Sequence, residues 1–276
     1  MKNLAETIKY YHLSRKALPA FNIDSFEIYQ AAEAAVIQTR LPCIVQLSEG
    51  EDSFIQAERL LLLVKKAQAD GLPIFMNMDH GKNLDRLLHL VSLGIDMIHF
   101  DGSALDYTLK LDTARQLISL VKKINPLVLV ETEFNRIRPS GTIVSPDSYT
   151  DPSQATEFIL TTEADFLAIS VGNLHGVNLS LPEVLDINRL TQLNQSIPTT
   201  YLTLHGGSGI APAQIQQAIN LGIVKININT DLRLKFKHSL ADHLSAISSE
   251  KIYDYLNPLV SDLKEVMVQK IIQYAN

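Results

Sequence analysis

Cysteine is nearly missing from this chain. Cys43 stands alone among 276 residues. That excludes a disulfide within the chain and makes a reducing, cytoplasmic setting the expectation. Set in the apolar run "PCIVQL", Cys43 reads as a small core residue. Positive charge is also short. The formal net charge is −6, which leaves no basic face for nucleic acid, and pairs such as Lys122-Lys123 read as solvated helix ends. No apolar run reaches the length of a membrane span. The opening segment "MKNLAETIKYYHLSRKALPA" has no continuous apolar stretch and does not read as a signal peptide. Neither nucleic acid nor membrane is therefore expected as a partner. Low-complexity tracts and Pro/Ser-rich linkers are absent too, so one domain over residues 1–276 is expected. Finally, no Gly-x-Gly-x-x-Gly follows the first apolar run. That counts against a dinucleotide-binding doubly wound sheet.

What is present is an ordinary globular composition, 46% hydrophobic and 20% charged, enough for a sizeable core. Short apolar runs alternate with longer amphipathic ones. The short runs are "LPAFNI", "PCIVQLS", "PIFMNMDH", "MIHFDGS", "LVLVETE", "FLAISVG", "TYLTLHGG" and "IVKININT". Each has the length of a strand. Most are apolar on both parities, as parallel strands covered on both faces should be. Helical patterns lie between them. "DSFEIYQAAEAAVIQTR" opens with Asp24 and Glu27 as a capping box. "NLDRLLHLVSLG" runs from a cap at Asn83 to a stop at Gly94. "TDPSQATEFILTT" has Asp151 as N-cap and Pro152 at the first helical position, and "APAQIQQAINLG" has Pro212 early and Gly222 at its end. Eight strand-then-helix units predict an α/β fold, a (β/α)8 barrel, with the tail "KIYDYLNPLVSDLKEVMVQKIIQYAN" adding a C-terminal helix. Residues 134–152 read as a long loop.

Polar residues gather at the C-terminal ends of the apolar runs: Asn22, Ser48, Asp79-His80, Asp101, Glu131 and Glu133, Asn173 and His175, His205, then Asn227, Asn229 and Thr230. In a barrel these ends share the face that carries the active site. Three of the eight histidines, His80, His175 and His205, fall there. His12, His89, His99, His238 and His243 fall in helix patterns or within strands. One strand-end histidine alone reads as a structural hydrogen-bonder; three on one face, each beside a glycine, form a candidate metal set with an open position. Asp79 and His80 point to opposite sides of a regular strand. A distortion would let one ligate a metal and the other meet substrate; otherwise Asp79 orients a histidine. Glu131 and Glu133 share a face, either as metal ligands or as a pair satisfied by lysine and water. "HGGSG" before a helix suits a phosphate, or serves only as a tight turn.

Taken together, "MDHG", "ETE", "GNLHGV", "LHGGSGI" and "KININTDLR", in this order, with "PAFNID" and "IVQLSEGE" before them, resemble the class II, metal-dependent fructose-1,6-bisphosphate and tagatose-1,6-bisphosphate aldolases. The resemblance runs over nearly the whole chain. It implies a catalytic Zn²⁺ on His80, His175 and His205, and Asp79 as the residue that shuttles the proton of the C4 hydroxyl. Glu133, with Asp101 and Glu131 nearby, matches an alternative or second divalent-metal site. Gly176, Gly206, Gly207, Ser208, Asn229 and Thr230 match the seat for the phosphate of dihydroxyacetone phosphate, with a monovalent cation. Asn227 matches a contact to the enediolate half, and Asn22 and Ser48 match contacts to the distal half. The implied substrate is a small phosphorylated sugar. A homodimer or homotetramer is the default for such a family.

The sequence departs from that pattern in three places. The stretch "FNRIRPSGTIVSPDSY" has no glutamate where the family carries its carbon acid–base, and Asp147 is its only acid. "HGVNLSLPEV" has Asn178 and Leu179 and lacks a phosphate-contacting lysine. "EKIYDYLNP" has Tyr253 near the place of a late arginine, for which Arg136 and Arg138 are possible substitutes. The donor half of the pattern is intact and the acceptor half is altered. The leading expectation is a Zn²⁺-dependent aldolase acting on a fructose- or tagatose-1,6-bisphosphate-like ketose. The alternatives are an aldolase with a different acceptor aldehyde, or a weakened homologue that binds sugar phosphate or metal as a regulatory protein. An epimerase or other lyase on the same barrel is a third.

Overall fold

A computed structural model of the chain describes residues 2–133, 135, 137–139, 141–142, 145–176 and 183–276. All eight apolar runs form strands: β1 (Leu18–Asn22), β2 (Cys43–Leu47), β3 (Ile74–Gly81), β4 (Met97–Asp101), β5 (Leu129–Glu133), β6 (Phe166–Ile169), β7 (Tyr201–Leu204) and β8 (Ile223–Ile228). They are parallel and close in chain order, with β8 pairing back onto β1. Helices α2 (Phe26–Thr39), α3 (Glu49–Ile55), α4 (Ala57–Ala69), α5 (Leu84–Ser92), α6 (Tyr107–Ile124), α7 (Pro152–Thr162), α8 (Ile187–Ser196) and α9 (Pro212–Asn220) connect successive strands. After β8 come α10 (Thr230–Ala246) and the added C-terminal helix α11 (Ile252–Tyr274), which lies along α2 and α10. This is the (β/α)8 barrel the alternation predicts.

The helix caps follow the sequence with one correction. Asn83 Oδ1 accepts from Arg86 N, and Asp151 accepts from Ser153 and Gln154 ahead of Pro152. Helix α2, however, is capped by Ser25, not by Asp24 and Glu27. The Asp24 carboxylate is drawn away by Arg233, which donates to it from Nε and Nη2 at 2.8 Å each. A bidentate pair with a guanidinium outcompetes a carboxylate cap on neutral backbone N–H groups.

One helix had no counterpart in the sequence reading. Helix α1 (Leu4–Leu13) buries Leu4, Ile8 and Tyr11 on one face. They pack on Leu18, Ile44, Phe75, Met97, Leu129, Phe166 and Val224, the inward residues at the starts of the strands. These apolar side chains plug the N-terminal mouth of the barrel.

Towards the C-terminal ends, the inward parity turns polar. Gln46, Asn77, His99, Glu131, Thr203 and, past a register shift between β7 and β8 that lets it face inward beside Val224, Lys225 are all fully buried, one step below the strand-end residues. The strands are apolar on both parities only in their lower half. Cys43 is buried and free, as a core residue should be. No helix among the described residues is long and apolar enough to cross a membrane.

Candidate metal centre and active site

The site begins with a fault in β3. Met78 pairs with Ile98 and Gly81 with Phe100, so three steps of β3 oppose two of β4. His80 takes up the slack with φ +51°, a left-handed conformation uncommon outside glycine. A regular strand would send Asp79 inward and His80 outward. The bulge turns both into one cavity of about 330 Å³.

Asp79 is held by amides. Asn227 Nδ2 donates to Oδ1 at 3.2 Å, and Gln46 Nε2 and Asn22 Nδ2 donate to Oδ2 at 3.2 and 3.5 Å. Burial opposes ionisation here, but the charge of His80, with Lys225 behind it, outweighs burial and holds the carboxyl well below the usual carboxylate range. Asp79 is therefore a carboxylate at neutral pH, ready to accept a proton.

His205 follows β7 and is fully buried. Its Nε2 faces Glu131 Oε1 at 2.7 Å, so that nitrogen carries the proton and donates. Its Nδ1 lone pair is left pointing at His80 Nε2, 3.1 Å away. A separation of roughly 3.3 Å is expected between two imidazole nitrogens on one tetrahedral zinc. His175 stands with its ring 5.0 Å from that of His80 and 5.7 Å from that of His205. Its Nε2 is buried and has no hydrogen-bond partner among the described residues. Burial, with the charge of His80 added, pushes His205 down to about 3 and His175 down to about 4. Burial also opposes a charge on His80, but Asp79, Asp101 and Glu133 push it up to about 9. Two neutral imidazoles thus face one protonated one, ringed by carboxylates. The arrangement asks for a single cation at its centre, and the donor set fits a metal ion.

The other acids divide into two roles. Glu133 Oε2 lies 3.5 Å and Asp101 Oδ2 3.8 Å from His80 Nδ1, on the far side of the ring. They line a second cavity of about 430 Å³ that shares His80 and His175 with the first. Burial pushes Glu133 up to about 7. Glu131 lies deeper, and both its oxygens are engaged, one by His205 and the other by Lys225 Nζ at 2.9 Å. Of the two readings open for the pair, Glu131 follows the one in which lysine satisfies it.

The glycine loop reaches a different helix from the one that follows it. Ser208 is buried and its Oγ accepts from Asp231 N at 3.2 Å, in the first turn of α10. Gly206, Ser208, Asn229 and Thr230 line the cavity there, with Gly176 opposite. The 17-residue helix α10, rather than α9, presents its N-terminus to this end, where an anion is favoured. Gly207 N donates to Asn227 O at 3.0 Å. Gly206 has φ +68°, and a Cβ at that position would lie 1.8 Å from Leu174 O. Only glycine lets the His205 turn nest against the His175 segment.

Asn22 and Ser48 also line this cavity. Beneath them Glu51 accepts from Ser48 N, Asn22 Nδ2, Asn229 Nδ2 and Arg233 Nη2. Arg233 is the one Lys or Arg among the described residues lining this cavity, and Asp24 and Glu51 already claim it. Asp147 is exposed in a 3-10 turn and lines neither cavity, Arg138 is exposed, and Tyr253 is exposed on α11. Arg136, Asn178 and Leu179 lie outside the described residues.

Sequence reasoning passed over Gln46, Glu51, His99, Lys225 and Arg233. Four of them carried a usable signal. Gln46, His99 and Lys225 sit two residues before Ser48, Asp101 and Asn227, on the same strand parity, and Arg233 sits one turn after Asn229 on α10. Among the described residues the constellation of possible ligand atoms within 4.8 Å of one another joins Asp79, His80, His99 and His205, and His175 stands outside it. His99 is set apart from it, because its Nδ1 already accepts from His80 N at 3.0 Å.

Known proteins share this fold. The YdjI aldolase from Escherichia coli K12 superimposes with TM-score 0.86 at 24% identity, over 99% of this chain and 96% of that one. A putative fructose-1,6-biphosphate aldolase from Coccidioides immitis gives 0.83 at 21%, over 99% and 96%. The fructose-bisphosphate aldolase from Campylobacter jejuni gives 0.76 at 20%, over 97% and 91%. At these identities the likeness speaks to the fold. The family assignment comes from the sequence: the family model for "Fructose-bisphosphate aldolase class-II" matches residues 2–276. From one end to the other, then, the chain belongs to the class II fructose-bisphosphate aldolases, and it is a carbon–carbon lyase.

Proposed function

We propose that the protein is a Zn²⁺-dependent aldolase that reversibly cleaves a ketose 1-phosphate or 1,6-bisphosphate to dihydroxyacetone phosphate and an aldehyde. The observation that carries this reading is the bulge at His80, which sets a carboxylate and an imidazole side by side opposite His205. His80, His175 and His205 would hold the ion. Bound there, Zn²⁺ supplies Lewis acidity to the ketone of the donor half while the neighbouring carbon takes on negative charge.

The residues of the chain divide the remaining work. Asp79, ionised and aimed into the cavity, takes the proton of the hydroxyl on C4 as the C3–C4 bond breaks, and returns it in the synthetic direction. The C3–C4 bond electrons pass into the donor half, the C4 oxygen becomes the aldehyde, and the carbon freed from C4 takes up one proton from solvent to complete dihydroxyacetone phosphate. Asn227 Nδ2 holds Asp79 in place and faces His205 at 3.3 Å, beside the donor half. Gly206, Ser208, Asn229 and Thr230 seat the phosphate at the start of α10, so that remote binding energy orients the reacting carbons. Glu131 keeps His205 in the tautomer that exposes Nδ1.

The acceptor is the finer question. Arg233 is tied to Asp24 and Glu51, which favours an aldehyde without a second phosphate over one that carries it. The test is cleavage of paired ketose 1-phosphates and 1,6-bisphosphates by chelator-treated protein, with and without added Zn²⁺, alongside Asp79→Ala. Cleavage that requires Zn²⁺ and vanishes in the variant supports the reading. Cleavage indifferent to Zn²⁺ removes it, and Zn²⁺ uptake without turnover favours a binding protein.

A further inference from the structure

We propose that His99 is a positioning residue, whose imidazole holds the β3 bulge that turns Asp79 and His80 into the same cavity. The inference rests on the roles given above to those two residues. His99 is fully buried in mid-β4 and lines neither cavity, so it does not touch substrate.

The argument starts from a backbone hydrogen. At the bulge, His80 N–H leaves the β3–β4 ladder. That hydrogen cannot titrate away, so the atom facing it must accept. The atom is His99 Nδ1, at 3.0 Å. A neutral His99 therefore keeps its proton on Nε2, and Nδ1 is barred from a metal and from donating to Asp79 Oδ1, 3.3 Å away. The Nε2 proton faces Glu133 Oε2 across 3.7 Å, and neither atom has a hydrogen-bond partner among the described residues. One ring thus fills the gap between β3 and the Glu133 carboxylate while capping the freed N–H.

The alternative conformation is plain. Without an acceptor at position 99, the His80 N–H is buried and unpaired, and the left-handed φ of +51° loses its compensation. The strand gains by returning to regular pairing, which turns either Asp79 or His80 out of the cavity.

Three variants separate this role from simple packing. Asn at position 99 can place an amide oxygen near the Nδ1 position, Leu fills similar space without an acceptor, and Gln extends its amide towards the Nε2 position. Each is stripped of metal, titrated with Zn²⁺, melted, and assayed with fructose 1-phosphate and fructose 1,6-bisphosphate. His99→Leu should weaken Zn²⁺ binding about 10- to 100-fold, the range for removing a group that orients a metal ligand, and lower kcat with KM little changed. His99→Asn should restore most of both. Should His99→Leu fail to fold, His99→Asn must still bind Zn²⁺ more tightly than His99→Gln at equal Tm. Parent-like Zn²⁺ binding by His99→Leu, or equal losses in Asn and Gln, overturns the inference alone. A parent that takes up no Zn²⁺ overturns the proposed function and this inference with it.

Discussion

The lower and upper halves of the barrel interior are built from the same eight strands and obey different rules. Below, Leu18, Ile44, Phe75, Met97, Leu129, Phe166 and Val224 meet the underside of α1 in an apolar core. Above, Gln46, Asn77, His99, Glu131 and Lys225 are as deeply buried, yet carry charge and hydrogen bonds. In the lower half a side chain matters by its volume. In the upper half it matters by which neighbour it satisfies. Glu131 shows the difference: it is held down by Lys225 and spends its other oxygen on orienting His205. A buried pair of this kind contributes little to stability against an apolar substitute, but losing one partner strands the other.

Variants can break that comparison, and the largest effect belongs to Asp79. Asp79→Asn keeps shape and removes the base, so kcat should fall by about 10³-fold while Zn²⁺ uptake survives; steady-state kinetics beside a metal titration checks both. Next, Lys225→Met leaves the Glu131 charge buried without its cation, which should cost about 3–5 kcal/mol in denaturant melts. Adding Glu131→Gln should recover most of that loss. If Lys225→Met costs no more than a trimmed core residue, the upper half is not a network.

A smaller effect comes from pH. His80, pushed up to about 9, holds a proton in the metal-free protein at neutral pH, and Zn²⁺ must displace it. His175 and His205, pushed down to about 4 and about 3, are already neutral and add no slope in this window. Zn²⁺ affinity should rise about tenfold per pH unit until pH reaches the His80 value, then level off. The metal-free protein should move the other way. A raised histidine pKa stabilises fully below its unfolded value near 6.5 and loses that contribution as pH rises through about 9. Competition against a chromophoric chelator reads the first trend and thermal melts read the second.

Below these lies the control from the lower half. Phe75→Leu should cost about 1–2 kcal/mol and leave Zn²⁺ affinity unchanged. The smallest effect is expected at the rim. Asp24→Asn releases one claim on Arg233 from a half-exposed pair, so stability should change by less than about 1 kcal/mol. The sharper readout is preference: KM for a 1,6-bisphosphate should fall relative to a ketose 1-phosphate.

The same division explains what could be read from the letters alone. Strand ends were legible because Asp79, His80 and His205 interrupt apolar runs beside glycines, and a barrel brings such ends together whatever their sequence separation; His175, read as a strand end, stands instead in the loop beyond β6. The layer beneath was not. Lys225 in "IVKINI" and His99 in "MIHFD" each look like one polar residue lost in a strand, and only the closed register shows that they face the same axis. Helix α1 was passed over for a related reason: its apolar residues are spaced for one face and form no run. The cap of α2 went to Ser25 because Arg233, 209 residues away, claims Asp24. In the glycine loop, likewise, Ser208 answers to α10 across the barrel seam and not to the next helix in the chain.

The contact at Gly206 bears on how such a site can change over time. With Leu174 O where a side chain would begin, no substitution at 206 is a local event. Any added carbon pries the His205 turn from the segment bearing His175, so two of the three imidazoles shift together. The site cannot be retuned in small steps from this position. Drift in specificity enters more readily at the rim, at Asp24 and Arg233, whose exposed pair can be exchanged while the imidazoles stay in place.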